Sequence, residues 1–169
     1  MWQLKLYKIL SFVLLPIGAL FGVFCLFSLL LVMANFSVLL PLFIVAATVI
    51  YIFSSFTFLY KAILQNIQCK ESLKDLIKVN AYVTILFASM CTLQFFTFKS
   101  NPHLLNDLLN QAMEMQKAKQ MPTPASTQQM FGVFNGVLYC MLVIAVLLFS
   151  HITLTFAMLK RFSERFDSK

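Results

Sequence analysis

The residue of this sequence best suited to chemistry is His151, which lies in the apolar stretch "LLFSHITLTF". A histidine side chain can act as a general base, a ligand or a hydrogen-bond donor near neutral pH. If the apolar runs are helices, His151 lies about 12 Å from the charged end of its own run, and four hydroxyl-bearing residues of two other runs lie at about 8 to 14 Å. The candidate polar cluster comprises His151, Tyr51, Ser54, Ser55 and Ser89.

Three interpretations of this candidate cluster differ in their chemistry. In the leading one, a neutral His151 donates to a hydroxyl or carbonyl group between helices and stabilises their packing by about 1 kcal/mol. In the second, Ser89, Ser54 or Ser55 is a nucleophile and His151 its base, as in an intramembrane hydrolase. No glycine-framed serine and no orienting acid support that interpretation. The third is ligand binding, for example of a quinone or a lipid headgroup.

The four glycines form two pairs with the same spacing, Gly18 with Gly22 and Gly132 with Gly136. Glycines four residues apart let two membrane helices approach closely. The first pair falls near the centre of its span and the second in the outermost turns, an offset of roughly 8 Å or more. We therefore expect two separate places of close helix packing, with coincidence in a phenylalanine-rich chain as the alternative.

Two amides near the ends of different apolar runs, Gln94 and Asn135, are expected to form an interhelical hydrogen bond. The four cysteines include no C-x-x-C pair, and no residues have the spacing of metal ligands. The sequence therefore predicts no metal, no cofactor and no catalytic residue.

The elements that position these residues follow from composition, since 60% of the 169 residues are hydrophobic and 11% are charged. This composition indicates a membrane protein. No residue from 9 to 60 is charged, and a helix of that length would reach roughly 78 Å, more than two crossings of an apolar core about 30 Å thick. The chain must turn back once in this run, and two further apolar runs follow. The predicted fold class is an all-α integral membrane protein with a bundle of four transmembrane helices. The predicted spans are residues 9–33, 38–60, 81–98 and 131–159. They are joined by an outer turn at 34–37, a loop at 61–80 and an outer loop at 99–130.

The charges predict the orientation of the spans. Ten of the 13 Lys and Arg residues lie in the segments 1–8, 61–80 and 160–169, and three lie in 99–130. By the positive-inside rule, both termini and the loop 61–80 are cytoplasmic. Tyr7 is expected at the inner interface, where amphipathic rings are favoured. The absence of a transit signature and the four-span plan favour a bacterial cytoplasmic (inner) membrane.

The outer loop contains a predicted amphipathic helix at 102–120, with Asn101 as its N-cap and Pro102 as its first residue. Its apolar residues recur on one side. The helix is expected to lie at the interface or to cap the bundle, and the alternative is that it holds a partner or covers a substrate entrance. Its apolar positions are Leu104, Leu105, Leu108, Leu109, Ala112 and Met113.

No Asp, Glu, Lys or Arg lies inside a predicted span, which disfavours ion-coupled transport. The leading functional hypothesis is a non-enzymatic packing, assembly or accessory component of the lipid bilayer, forming a homo-oligomer or binding a membrane-protein partner. The alternatives are a small-molecule or lipid carrier and an intramembrane enzyme that uses His151. The flanking position of the cations argues against nucleic acid as a partner.

Overall fold

The computed structural model describes residues 2–118 and 127–167. Four of its helices are long and apolar enough to cross a membrane, so the predicted all-α, four-helix class is confirmed. The residues 119–120 of the predicted amphipathic helix and the connector after them lie outside the described residues, and the location of this helix outside the cytoplasm stays a prediction. The helices are α1 (Trp2–Ala34), α2 (Leu39–Phe58), α3 (Glu71–Ser100), α4 (Pro102–Ala118) and α5 (Thr127–Arg161).

The chain divides into two compact units. The first unit comprises Met1–Ala88 and Val146–Lys169, and thus contains α1, α2, the N-terminal part of α3 and the C-terminal part of α5. The second unit, Ser89–Ala145, contains the rest of α3 and α5 together with α4.

In the first unit, α1 and α2 have the most extensive close backbone contact. Gly18 is buried at this contact, and a Cβ atom built on it would lie 2.9 Å from Cγ2 of Ile52. A Cβ atom on Gly22 would lie 3.7 Å from Cγ1 of Val49, an ordinary van der Waals distance. Gly18 is therefore the position at which the two helices require glycine.

The turn between α1 and α2 is stabilised by Asn35. Its side-chain Oδ1 accepts hydrogen bonds from the backbone N–H of Ser37 at 3.1 Å and from the Ser37 hydroxyl at 2.7 Å. The following 3-10 turn, Phe36–Val38, leads directly into α2. An Asn side chain that bonds to the backbone two residues later is typical of tight turns.

After Phe58, α2 continues as a π-helical turn, Leu59–Leu64. Asn66 then has a φ of 56°, a left-handed conformation that Asn tolerates better than most residues. The Asn66 side-chain oxygen accepts a hydrogen bond from Nη2 of Arg165 at 3.2 Å. The C-terminal segment of the chain is thus bonded to the loop between α2 and α3.

Two short parallel strands add to this attachment, β1 (Cys69–Lys70) and β2 (Phe166–Asp167). The ring of Phe166 stacks on Phe58 with centroids 5.4 Å apart, and the ammonium of Lys74 lies 5.7 Å from the centroid of the same Phe166 ring. We call the β1–β2 pair and the Phe166 contacts the C-terminal clasp. It ties the end of the chain to α2 and α3.

The second unit packs the ends of α3 and α5 through aromatic rings. Phe95 and Tyr139 have centroids 5.2 Å apart, and Phe98 and Phe134 have centroids 5.7 Å apart in an edge-to-face arrangement. Lys99 Nζ donates to the Tyr139 hydroxyl at 3.0 Å. Offset and edge-to-face aromatic pairs of this kind add to the stability that apolar burial provides.

The predicted apolar side of α4 is only partly buried. Leu105 and Leu109 are buried, whereas Leu104 and Leu108 are 43% and 45% exposed. Leu105 and Leu109, one helical turn apart, therefore form the buried side of α4, and Leu104 and Leu108 lie at its exposed edge.

Candidate functional site

Three helices of the first unit each contribute two buried residues, four positions apart, to one cluster of polar side chains. This spacing places both members of a pair on one face, one helical turn from each other. The His151 cluster consists of Tyr7 and Ser11 of α1, Tyr51 and Ser55 of α2, and His151 and Thr155 of α5.

The two ring nitrogens of His151 have different partners. Nε2 lies 2.9 Å from the Ser11 hydroxyl oxygen and Nδ1 lies 2.8 Å from the Tyr51 hydroxyl oxygen. The Ser11 hydroxyl donates its one proton to the carbonyl of Tyr7 at 2.8 Å, so its oxygen accepts from His151 Nε2–H. A neutral imidazole has one donor and one acceptor. With the Ser11 proton on the Tyr7 carbonyl, Nδ1 accepts from the Tyr51 hydroxyl and the ring proton is on Nε2.

The remaining hydroxyl groups also bond to one another. Thr155 Oγ1 donates to the carbonyl of His151 at 2.8 Å and lies 3.4 Å from Ser55 Oγ. The Tyr7 hydroxyl donates to the carbonyl of Ser55 at 3.2 Å and lies 2.9 Å from Ser55 Oγ. The Tyr51 and Thr155 hydroxyl oxygens are 2.9 Å apart. Each hydroxyl and ring proton of the cluster has an acceptor within it.

Aromatic contacts surround the histidine ring. Tyr7 stacks on His151 with centroids 5.1 Å apart and an angle of 21° between the rings. Tyr51 meets the ring at its edge, with centroids 5.7 Å apart. Because both tyrosines also supply hydroxyl groups to the cluster, ring contacts and hydrogen bonds fix His151 together.

The His151 cluster is closed to its surroundings. Its six residues are at most 2% exposed. Four cavities of the described residues, with volumes from about 150 to 620 Å³, lie elsewhere, and no residue of the cluster lines any of the four.

The structure brings together three of the five residues of the candidate polar cluster, Tyr51, Ser55 and His151. Ser54 is a buried neighbour whose hydroxyl donates to the carbonyl of Tyr51, within its own helix, at 3.1 Å. Ser89 is half-buried and belongs to the second unit.

Sequence reasoning missed Tyr7, Ser11 and Thr155. Tyr7 is fully buried rather than an interfacial ring, in contrast to Tyr60 and Tyr82, which are 48% and 65% exposed. The signal that could have identified the missed residues is the repeated i, i+4 spacing of polar side chains in three apolar runs.

The predicted bond between Gln94 and Asn135 is replaced by a local one. Asn135 Nδ2 donates to the carbonyl of Phe131 in the same helix at 3.2 Å, and Gln94 is exposed. An amide near a helix end can satisfy its donor within its own backbone, as Asn135 does here.

The distance between Ser11 Oγ and His151 Nε2 resembles that of a nucleophile and its base, but the proton positions do not. A general base must accept the serine proton, whereas Ser11 donates to the Tyr7 carbonyl and His151 Nε2 donates to Ser11. Among residues 2–118 and 127–167, no three His, Cys, Asp or Glu side chains come together as metal ligands would.

Outside the spans, Cys69 in β1 is 5% exposed and its thiol is free. Burial raises the pKa of the Cys69 thiol, and the positive charge of Lys61 offsets part of that rise. A thiol with a raised pKa carries little thiolate at neutral pH and reacts slowly. Cys69 is thus a packing residue of the C-terminal clasp.

No protein-family model, curated protein or solved structure matches this chain at a significant level.

Proposed function

We propose that this protein is a non-enzymatic component of a membrane assembly, which packs through its transmembrane helices against a second copy of itself or another membrane protein. The observation that carries the proposal is the exposed face around Gly132 and Gly136 on α5. Apart from the adjacent residues and the nearby backbone of α5 itself, no atom of the described residues lies within 4 Å of a Cβ atom built on either glycine. Glycines at this spacing favour close helix contact in lipid, and the described chain does not use them for it.

The closed His151 cluster supports a role without chemistry. A carrier that binds its cargo at His151 needs a cavity beside the ring, and an enzyme needs an accessible nucleophile. The ring of His151 is fully buried and bonded at both nitrogens. Its hydrogen bonds join α1, α2 and α5, so the cluster holds these three helices of the first unit together.

Cys140 provides a direct test, because it is exposed and lies one turn beyond Gly136 on the same face of α5. In a chain whose other three cysteines are replaced by serine, mild oxidation in native membranes is expected to crosslink two copies through Cys140. Replacing both glycines by isoleucine, as G132I/G136I, is expected to abolish the crosslink.

The matched control adds bulk to the same two turns on another face. Val133 and Val137 are exposed and lie about 100° around the helix from the glycines. The variant V133I/V137I is expected to crosslink as the parent does. A chain that neither crosslinks nor co-purifies with another membrane protein in mild detergent contradicts the proposed function.

We further propose a bacterial cytoplasmic membrane as the location, with both termini in the cytoplasm and α4 outside. The unequal distribution of Lys and Arg supports this orientation. A single cysteine in α4, introduced as His103→Cys, is expected to react with a membrane-impermeant maleimide in intact cells whose outer membrane is permeabilised. Labelling only after cell lysis would indicate the opposite orientation, with α4 in the cytoplasm.

A further inference from the structure

A basic pocket of about 310 Å³ lies in the first unit, where α3 begins and α5 ends. Its position at the charged ends of two candidate spans places it at the edge of the apolar core. Three of its lining residues are lysines, two are apolar and one bears a hydroxyl group. The basic pocket is lined by Lys74, Lys78, Phe156, Leu159, Lys160 and Ser163.

The three lysines concentrate positive charge in a small volume. Lys74 and Lys78 are half-buried and four residues apart, so they share one face of α3, and Lys160 belongs to α5. No carboxylate lines the pocket. Like charges at this spacing repel each other, and an anion held between them relieves that repulsion.

The position of one lysine is fixed by its other contact. The ammonium of Lys74 lies 5.7 Å from the centroid of the Phe166 ring, and Phe166 itself stacks on Phe58. A cation over an aromatic face is attracted by the ring quadrupole. The C-terminal clasp therefore holds one wall of the basic pocket before any ligand arrives.

The remaining walls suit a ligand with a charged and an apolar part. Phe156 and Leu159 belong to the apolar end of α5, and the Ser163 hydroxyl lies just beyond that helix. The pocket volume is at the lower end of the range of about 300 to 1,000 Å³ for small-molecule sites. It is large enough for a phosphate-bearing headgroup.

We propose that the basic pocket binds the headgroup of an anionic phospholipid, with its phosphate between Lys74, Lys78 and Lys160. Basic pockets between membrane helices on the cytoplasmic side are known lipid-headgroup sites. The site goes beyond the assembly role and does not depend on it, because every lining residue lies in the first unit, whereas Gly132 and Gly136 belong to the second.

The experiment uses the full chain, purified in a neutral detergent and stripped of lipid. Phosphatidylglycerol is added, and native mass spectrometry measures the fraction of protein that retains one lipid. Each lysine near an anionic lipid contributes roughly a five-fold factor in affinity. The variant K78Q/K160Q is therefore expected to bind about 25-fold more weakly. Lys74 is retained because of its contact with Phe166.

The control K5Q/K8Q removes the same charge from the start of α1, outside the basic pocket, and is expected to stay within about two-fold of the parent. The variant K78R/K160R keeps the charge and is expected to keep most of the binding. Phosphatidylcholine and inorganic phosphate test the ligand itself, and both are expected to bind much more weakly than phosphatidylglycerol. These comparisons on the unmodified chain decide the question even if K78Q/K160Q loses its helical circular dichroism signal.

Three results would overturn the proposal. Equal weakening in K78Q/K160Q and K5Q/K8Q would show diffuse attraction in place of a site. Displacement of phosphatidylglycerol by millimolar inorganic phosphate would assign the pocket to a soluble anion. Equal retention of phosphatidylcholine would show that the headgroup charge is not recognised.

Discussion

A methyl group added at Gly18 tests the packing of α1 against α2. In Gly18→Ala, the new Cβ atom would lie 2.9 Å from Cγ2 of Ile52 and 3.3 Å from its Cβ and Cδ1 atoms. Ile52 is β-branched and 2% exposed, so it has little freedom to move away. The helices must separate or the isoleucine must leave its rotamer.

The expected magnitude combines two opposing effects. Overpacking of a well-packed core costs about 1 to 3 kcal/mol, whereas replacing glycine by alanine inside a helix gains about 1 kcal/mol. Gly22→Ala has the same gain without the clash, because its Cβ atom would lie 3.7 Å from the nearest Val49 atom. The difference in stability between the two alanine variants is therefore expected to equal the overpacking cost, about 1 to 3 kcal/mol.

Reversible unfolding by sodium dodecyl sulfate in mixed micelles, followed by near-ultraviolet circular dichroism, measures this difference. The double variant G18A/I52A is the internal check, because Ile52→Ala removes Cγ2 and Cδ1 and makes room for the methyl group. Its destabilisation is expected to be smaller than the sum of the two single effects by about 0.5 to 3 kcal/mol. Equal stability of Gly18→Ala and Gly22→Ala, or strict additivity in the double variant, would refute the close contact at this position.

Three further predictions concern the His151 cluster and the C-terminal clasp. Tyr51→Phe leaves Nδ1 of His151 without its donor and is expected to lower the free energy of unfolding by about 1 to 3 kcal/mol. Tyr60→Phe, at an exposed ring, is expected to stay within about 0.5 kcal/mol of the parent in the same titration. Equal effects of the two substitutions would contradict the assigned bonds. The raised pKa of Cys69 means that less thiolate is present at a given pH. In a chain with Cys69 as its one cysteine, the rate of maleimide modification is therefore expected to reach half its maximum at a higher pH than the rate for a free thiol in solution. Phe166→Ala is expected to speed this modification several-fold by releasing β2 from β1, and an unchanged rate would show that the clasp does not cover the thiol.

The four-helix class was predictable because it depends on one physical quantity, the length of uncharged apolar sequence that must cross the bilayer. The depth of a residue also follows from counting along a helix. Tyr51, Ser55 and His151 were placed at one level in this way, and the structure brings them together. Depth alone, however, does not say on which side of a helix a residue lies, and Ser89 has the expected depth but belongs to the other unit.

The residues that were missed show which information a single sequence lacks. A tyrosine near a span end is typical of the membrane interface, but Tyr7 has the stacked ring and hydroxyl partners of a core residue. The two glycine pairs have identical spacing and different surroundings, since Gly18 contacts Ile52 and Gly132 has no described neighbour at its Cβ position. Which face of a helix packs against another helix depends on the helices around it, and residue spacing within one helix does not determine which helices those are.

The origin of the His151 bonds in three separate helices has a consequence for biosynthesis. Both side-chain partners of the Tyr51 hydroxyl among the described residues, His151 and Thr155, follow it by 100 and 104 positions in the chain. When α1 and α2 have just been inserted into the bilayer, neither of these partners of the Tyr51 hydroxyl has been synthesised. The ribosome must therefore synthesise α5 before α1 and α2 reach their final packing, and the His151 cluster forms only after α5 has been inserted.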